Sequence, residues 1–211
     1  MAPNYATLAF TDVIKTLQER YGSRQTYARL EQKKGVKELS DREIRFIEAR
    51  DNLYLASIGE NGFPYIQHRG GPKGFLHVID AKTLGFVDYQ GNKQYISAGN
   101  IMTRPEVSLI LMDYARRSRL KLYARAEVIE LEDHADLLAQ LAPTDYPHTP
   151  ERMLLLHVEA YDWNCPQHIH PRYTAEEIND AIVPLKAYIA ELEAKVAELS
   201  KEKSQEGEPS G

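Results

Sequence analysis

Among 211 residues there is one cysteine, Cys165. A lone thiol excludes an internal disulfide framework and fits a reducing compartment. No apolar run approaches the roughly 20 residues that a membrane-spanning helix needs. The first ten residues lack a basic start followed by a long apolar stretch, so no secretory signal is expected. These absences lead us to expect a cytoplasmic chain with no membrane partner. Positive charge is also scarce: 26 Lys and Arg stand against 31 Asp and Glu, a formal net charge of −5. Without a basic field, general nucleic-acid binding is not expected. Missing too are G-x-S-x-G, a P-loop, H-E-x-x-H and G-x-G-x-x-G, so the sequence supports no nucleophile elbow, Walker phosphate loop, zincin site or Rossmann nucleotide site. What is present is a 43% apolar composition, enough for a substantial core at this length.

Apolar residues at Phe10, Val13, Ile14, Leu17 and Tyr21 repeat at helical spacing, with Gly22 as the stop. Ser40 precedes Glu43 by three and Ile44, Phe46 and Ile47 follow, which predicts a capped helix over 41–50. From Asn52 the period changes to that of strands, at Tyr54–Ile58, Phe63–His68, Phe75–Asp80, Leu84–Asp88, Val107–Asp113, Arg119–Leu131 and Met153–Tyr161. Glu60-Asn61-Gly62 reads as a hairpin turn. Short strands parted by turn residues favour an antiparallel barrel over βαβ units. Helices are expected at Gly91–Met102 and over 132–141.

Four segments could carry chemistry. In His68-Arg69-Gly70-Gly71-Pro72-Lys73, cations flank a glycine pair where backbone can approach a ligand, and Arg suits phosphate oxygens. The same run also reads as a hairpin connection with solvated cations. In Asp88-Tyr89-Gln90-Gly91-Asn92-Lys93-Gln94 through Ser97, a strand end, a glycine and a helix start would make an anion site. A plain capped helix is the other reading. Arg119 and Lys121 share one strand face and could hold a phosphate, or belong to a solvated hairpin. Asp162-Trp163-Asn164-Cys165-Pro166-Gln167-His168-Ile169-His170-Pro171-Arg172 gathers the only Trp, the only Cys and two His in a loop stiffened by prolines. His168 and His170 lie two apart, but no further ligands complete a metal set, so no metal is expected. Cys165 reads as a packed, inert thiol.

Taken together, the phrases Arg50-Asp51, His68-Arg69-Gly70-Gly71-Pro72, Gly74-Phe75-Leu76, Asp88-Tyr89, Gly91-Asn92, Gln94-Tyr95-Ile96-Ser97, Leu111-Met112-Asp113-Tyr114, Arg119-Leu120-Lys121 and Asp162-Trp163 with Pro171-Arg172 resemble the pyridoxamine 5′-phosphate oxidase-related proteins that bind FMN. The resemblance implies a mainly β fold with flanking helices: a six-stranded antiparallel split barrel, usually a homodimer with FMN at the interface. It implies that Arg69 and the Gly70-Gly71 backbone border the phosphate and ribityl region. Asn92, Lys93 and Gln94 occupy the place of a Ser-Arg-Lys phosphate clamp, with one cation where the oxidase has two. Arg119 and Lys121 would approach the flavin or its phosphate. Trp163 and Arg172 match a Trp and an Arg near the oxidase's C-terminal end. With Asp88, Tyr89, Ser97, Gln167 and His168 these residues form the expected cofactor set. The activity implied is an FMN-dependent oxidoreductase acting on a small molecule, with no catalytic acid or base assigned. A non-catalytic FMN protein, or the same barrel using deazaflavin or haem, remains open.

Beyond the barrel, Thr174 precedes Glu177 by three, a second capping box. Ile178, Ile182, Leu185, Ile189, Leu192, Val196 and Leu199 then alternate at spacings of four and three, an a/d pattern over three heptads. Pro184 is expected to kink this helix or begin a new one. The organisation expected is a barrel domain over 1–173, a heptad helix over 174–201 that either pairs with a second copy or lies on its own barrel, and a disordered tail over 202–211.

Overall fold

The computed structural model describes residues 4–32, 35, 38–144, 146–163 and 166–206. The chain divides into two compact units, Met1–Ile169 and His170–Gly211.

The first unit opens with short helices α1 (Tyr5–Ala9), α2 (Asp12–Arg20), α3 (Arg24–Glu31) and α4 (Asp41–Glu48). The α4 start is the capping box expected at Ser40 and Glu43. Seven strands follow: β1 (Asn52–Ile58), β2 (Pro64–Gly70), β3 (His77–Asp80), β4 (Thr83–Tyr89), β5 (Glu106–Asp113), β6 (Ser118–Ile129) and β7 (Pro150–Trp163). Helix α5 (Ile96–Thr103) joins β4 to β5, and α6 (Ala135–Leu141) joins β6 to β7. Each of the seven strand segments read from the residues is found, so the sheet has one strand more than the six implied by the resemblance. All pairings are antiparallel, in the order β2-β1-β5-β6-β7-β4-β3.

The pleat decides what enters the core. Leu53 and Leu55 on β1, Val107, Leu109 and Leu111 on β5, and Leu120 and Leu122 on β6 alternate with less buried neighbours and join one cluster with Leu84, Phe86, Leu154 and Leu156. That alternation is what a sheet with one covered face requires. Strand β4 is buried on both faces, because α6 packs Leu141 against Val87 and Met153 on its outer side. Gly85 permits this approach: a Cβ there would lie 2.8 Å from Ile79 and 3.1 Å from Leu141. Gly62, at φ +83°, closes the β1–β2 turn in the left-handed region that a side chain disfavours.

The sheet curls on itself. β2 and β4 are five strand spacings apart, roughly 24 Å if flat, yet Arg69 on β2 reaches Asp88 on β4. The inside of the curl is filled by leucine, valine and phenylalanine side chains, and Arg69, Asp88 and Arg152 meet at one end of it.

The second unit consists chiefly of α7 (Ala175–Glu206), which runs uninterrupted through Pro184. Its start is the expected box: the Glu177 amide donates to Thr174 Oγ1 at 3.1 Å and Thr174 N donates to Glu177 Oε2 at 2.8 Å. Residues 207–211 of the expected disordered tail lie outside the described residues, as does Cys165. Among the described residues, no helix is long and apolar enough to cross a membrane, and no group of three or more His, Cys, Asp or Glu is placed to hold a metal ion.

Candidate functional site

On β2 the side chains of Tyr65, Gln67 and Arg69 share one face, and Arg69 stands opposite the core residue Leu53. Residues paired directly across an antiparallel ladder point to the same side, so Arg69 belongs to the inner face. The same holds for Asp88 on β4, two residues after the buried Phe86, and for its cross-strand partner Arg152 on β7, two before the buried Leu154. The curl brings the three together. Arg69 Nη1 lies 2.5 Å from Asp88 Oδ1, and Arg152 Nη1 lies 3.2 Å from Oδ2. One buried carboxylate therefore holds two guanidinium groups at the end of the core. Each arginine is fixed by a charge-assisted bond before any ligand arrives.

The segment after β4 completes a cleft of 240 Å³ lined by Tyr65, Gln67, Arg69, Asp88, Tyr89, residues 91–98, Glu151 and Arg152. Helix α5 begins at Ile96, five residues later than the helix expected from Gly91. Asn92, Lys93 and Gln94 therefore lie on a loop, whose Lys93 and Tyr95 both take positive φ, +59° and +54°. Left-handed backbone at non-glycine residues is costly and persists only where the surroundings enforce it. Here Tyr95 is tethered: its hydroxyl donates to Glu151 Oε1 at 2.8 Å, and the Arg152 guanidinium lies 4.9 Å from its ring centroid. No side chain caps the first turn of α5, so its leading N–H groups are available to an anion. Ser97 is buried and donates to Gln67 Oε1 at 2.7 Å, pinning α5 to β2.

Two further clefts adjoin. One of 570 Å³ shares Tyr65 and Ile96 and runs between the β1–β2 turn and α5. The other, of 240 Å³, shares Arg69, Asp88 and Tyr89 and includes Gly70, Phe75, Tyr146 and His148. In it Tyr89, Tyr146 and His148 form an aromatic group with centroids 4.4–6.0 Å apart. Burial raises the Tyr89 hydroxyl above its ordinary pKa, with Tyr146 adding to the effect. The hydrogen bond to Glu151 raises that of Tyr95. Both hydroxyls stay protonated donors at neutral pH.

Of the expected cofactor residues, Arg69, Asp88, Tyr89, Asn92, Lys93, Gln94 and Ser97 line the one cleft, and Gly70 lines its neighbour. Gly71 ends the β2 connection, where a Cβ would sit 2.7 Å from Phe75. The others of the first unit lie elsewhere in a single copy. Lys121 pairs with Asp162 at 3.2 Å and rests 4.7 Å over the Tyr5 ring. It sits on the outer face because it alternates with the buried Leu120 and Leu122. Arg119 is on that outer face too, and its Nε is buried without a hydrogen-bond partner. Trp163 is on the inner face but eleven residues along β7 from Arg152, roughly 35 Å of strand. There its Nε1 donates to Glu43 Oε1 at 2.6 Å, while Phe46 and Arg42 pack on the ring. Gln167 and His168 are exposed, His168 at φ +65°, and Arg172 belongs to the second unit.

Sequence reasoning missed Arg152 and Glu151. No local pattern marks them: only the pairing of Asp88 with Arg152 across β4 and β7 shows that a second arginine shares the carboxylate.

A family model described as pyridoxamine 5′-phosphate oxidase matches residues 40–164, which contain every strand and the whole cleft. No curated protein matches the chain. Among solved structures, a candidate pyridoxamine 5′-phosphate oxidase from Lactobacillus delbrueckii is 22% identical with a TM-score of 0.47, over 60% of this chain and 95% of that one. HupZ from Group A Streptococcus is 15% identical with a TM-score of 0.46, over 64% and 100%. A protein of the pyridoxinephosphate oxidase family from Clostridium acetobutylicum, related to general stress protein 26, is 15% identical with a TM-score of 0.44, over 64% and 92%. The family match spans more than half of the residues, and the chain belongs to the pyridoxamine 5′-phosphate oxidase family.

Proposed function

We propose that this protein binds FMN at the end of the curled sheet and uses it as an oxidoreductase on a small molecule, as a homodimer. The observation that carries the reading is the convergence of Arg69, Arg152 and Lys93 with the uncapped first turn of α5 on one cleft. A phosphate monoester needs this set: fixed guanidinium donors, a mobile ammonium and free peptide N–H groups. Two features fit a ligand that brings acceptors. Arg69 Nε is buried with no hydrogen-bond partner, and among the described residues Lys93 makes no ion pair. The aromatic group of Tyr89, Tyr146 and His148 next door suits the flank of a planar ring.

FMN, when bound, supplies the redox chemistry, and the protein's part is to bind, orient and tune it. In this reading Lys93 and the α5 amides hold the phosphate. Asp88 keeps Arg69 and Arg152 aimed, so little ordering is left to be done on binding. The protonated Tyr89 hydroxyl is left to donate toward the ligand, while that of Tyr95, donating to Glu151, holds the 91–95 loop against β7. For the pairing of two copies the reading points to apolar side chains left exposed around the 570 Å³ cleft: Phe63, 74% exposed, lines it, and Met102, 76% exposed, precedes its lining residue Thr103.

Visible absorption of the purified protein, before and after adding FMN, tests the reading. A flavin spectrum, with Lys93→Ala weakening FMN binding several-fold through loss of one charge-assisted contact, is the expected result. A colourless protein that takes up no FMN overturns it. A flavoprotein whose bound flavin cannot be reduced and reoxidised by any donor and acceptor pair would keep the site but make it a flavin carrier.

A further inference from the structure

The longest helix of the chain carries a continuous apolar seam that the flavin reading does not use. On α7, Ile178, Ile182, Leu185, Ile189, Leu192, Val196 and Leu199 are each between 37% and 62% exposed. We propose that this seam is the interface of a parallel, in-register, two-stranded coiled coil with a second copy of this chain.

The residues choose the partner and its direction. Assigning the heptad places Ile182, Ile189 and Val196 at position a, and Ile178, Leu185, Leu192 and Leu199 at position d. β-Branched residues at a with leucine at d favour two parallel strands over higher-order bundles. Direction also follows from the count. In a parallel pair each a layer meets a′ and each d layer meets d′, so all seven layers close. In an antiparallel pair a meets d′, and with three a residues against four d residues one layer is left open. The flanks allow the parallel pair. Position g of one helix faces e of the next heptad across the seam, which sets Ala181 by Lys186, Tyr188 by Glu193, and Lys195 by Ser200. Tyr188 offers a hydroxyl donor to a carboxylate, Lys195 an ammonium to a hydroxyl, and no like charges meet. A seam meant for a different protein would be expected to carry like charges at these places, to reject its own copy. Pro184 falls at position c, on the outside, so it does not obstruct the seam. At the C-terminal end the helix supports itself through Glu191 and Lys195, four apart and 2.6 Å between charged atoms.

The test uses the full chain with Cys165→Ser, so that no native thiol competes. In that background Leu192→Cys puts a thiol at a d layer, where two copies of a parallel in-register pair bring the Cβ atoms close enough for a disulfide. Ala194→Cys puts one at position f, on the outside. Air oxidation should give at least about tenfold more covalent dimer from the first variant than from the second. Equal yields would mean that any proximity comes from dimerisation elsewhere, and would overturn the proposal. So would no covalent dimer from Leu192→Cys alone together with cross-linking in a mixture of Leu192→Cys and Ile189→Cys chains, the signature of an antiparallel pair. Variants that fail to fold are excluded by requiring the circular-dichroism spectrum of the Cys165→Ser parent.

Discussion

The two ends of β7 hold nearly the same chemical groups and put them to different uses. At the start of the strand, Arg152 shares the buried Asp88 with Arg69, beside the ring of Tyr95. At its finish, Trp163 donates to the buried Glu43, beside the guanidinium of Arg42. Each end has a buried carboxylate, aromatic groups and arginine. At the first, the carboxylate on β4 is fed by arginines from two other strands, β2 and β7, and the loop next to it leaves N–H groups and an unpaired lysine facing a cleft. At the second, α4 closes the end: Glu43 also accepts from Ser40 N and Ser40 Oγ, and Phe46 lies edge-on to the indole at 4.8 Å. Donor groups are saturated at one end and left over at the other. Surplus donors, not the presence of arginine or tryptophan, mark the end suited to an anionic ligand.

The comparison breaks most severely at Asp88. Replacing it with alanine leaves Arg69, 16% exposed, with no counter-charge, beside Arg152, 12% exposed, which keeps only its pair with Glu151 at 3.2 Å. Removing one partner of a buried ionic set costs about 3–5 kcal/mol, and urea unfolding at pH 7 should show a loss in that range. Asp88→Asn should lose less, because the amide oxygen still accepts from one arginine. Its removal of a negative charge should strengthen the binding of inorganic phosphate to the cleft. A destabilised Asp88→Asn with unchanged phosphate affinity would place anion binding away from these arginines.

Much of this contrast cannot be read along the chain. The β2 arginine, the Asp88-Tyr89 strand end and Lys93 were legible because they lie in short runs that alternate or punctuate recognisably. The Ser40–Glu43 box was legible for the same reason, as were all seven strands. Arg152 was not, since its role exists only through the β4–β7 register, 64 residues from Asp88 in sequence. Trp163 and Lys121 looked like companions of the cleft because they carry suitable side chains. The pleat sets Lys121 on the outer face, and strand length sets Trp163 at the far end. The start of α5 was misjudged because nothing in Gly91-Asn92-Lys93-Gln94-Tyr95 forbids helix. It is the tether from Tyr95 to Glu151, again a long-range contact, that accompanies the left-handed turns.

The closed end should respond to acid more than to ligand. Burial alone would raise the Glu43 carboxyl. The hydrogen bonds from Ser40 and Trp163, with those from the backbone, outweigh it and hold Glu43 below its ordinary 4.5. A folded pKa below the unfolded one means that the carboxylate stabilises the fold fully above pH 4.5 and loses that contribution as pH falls through the lower folded value. Glu43→Gln should therefore cost about 1.5 kcal/mol at pH 7, and the gap to the parent should narrow at pH 3. Urea midpoints of both proteins at the two pH values would check it. A gap as wide at pH 3 would mean that shape, not charge, is what Glu43 provides.

The smallest effect gives the sharpest division between the two ends. Trp163→Phe keeps a ring against Phe46 and Arg42 but removes the Nε1–H that Glu43 accepts. One neutral donor lost to a buried carboxylate that keeps its Ser40 partners should cost about 1 kcal/mol. If the ends are separate in function as well as in contacts, the affinity for FMN stays that of the parent while stability falls. Trp163 was expected from the family resemblance to border the flavin, and in one copy of the chain it stands a strand's length from the cleft. A clear loss of FMN affinity in Trp163→Phe, with Phe46→Leu as the control that loosens the same corner without touching the indole nitrogen, would therefore carry a structural meaning. It would require the tryptophan of one copy to reach the cleft of another, and the closed end of one sheet would then be part of its partner's open one.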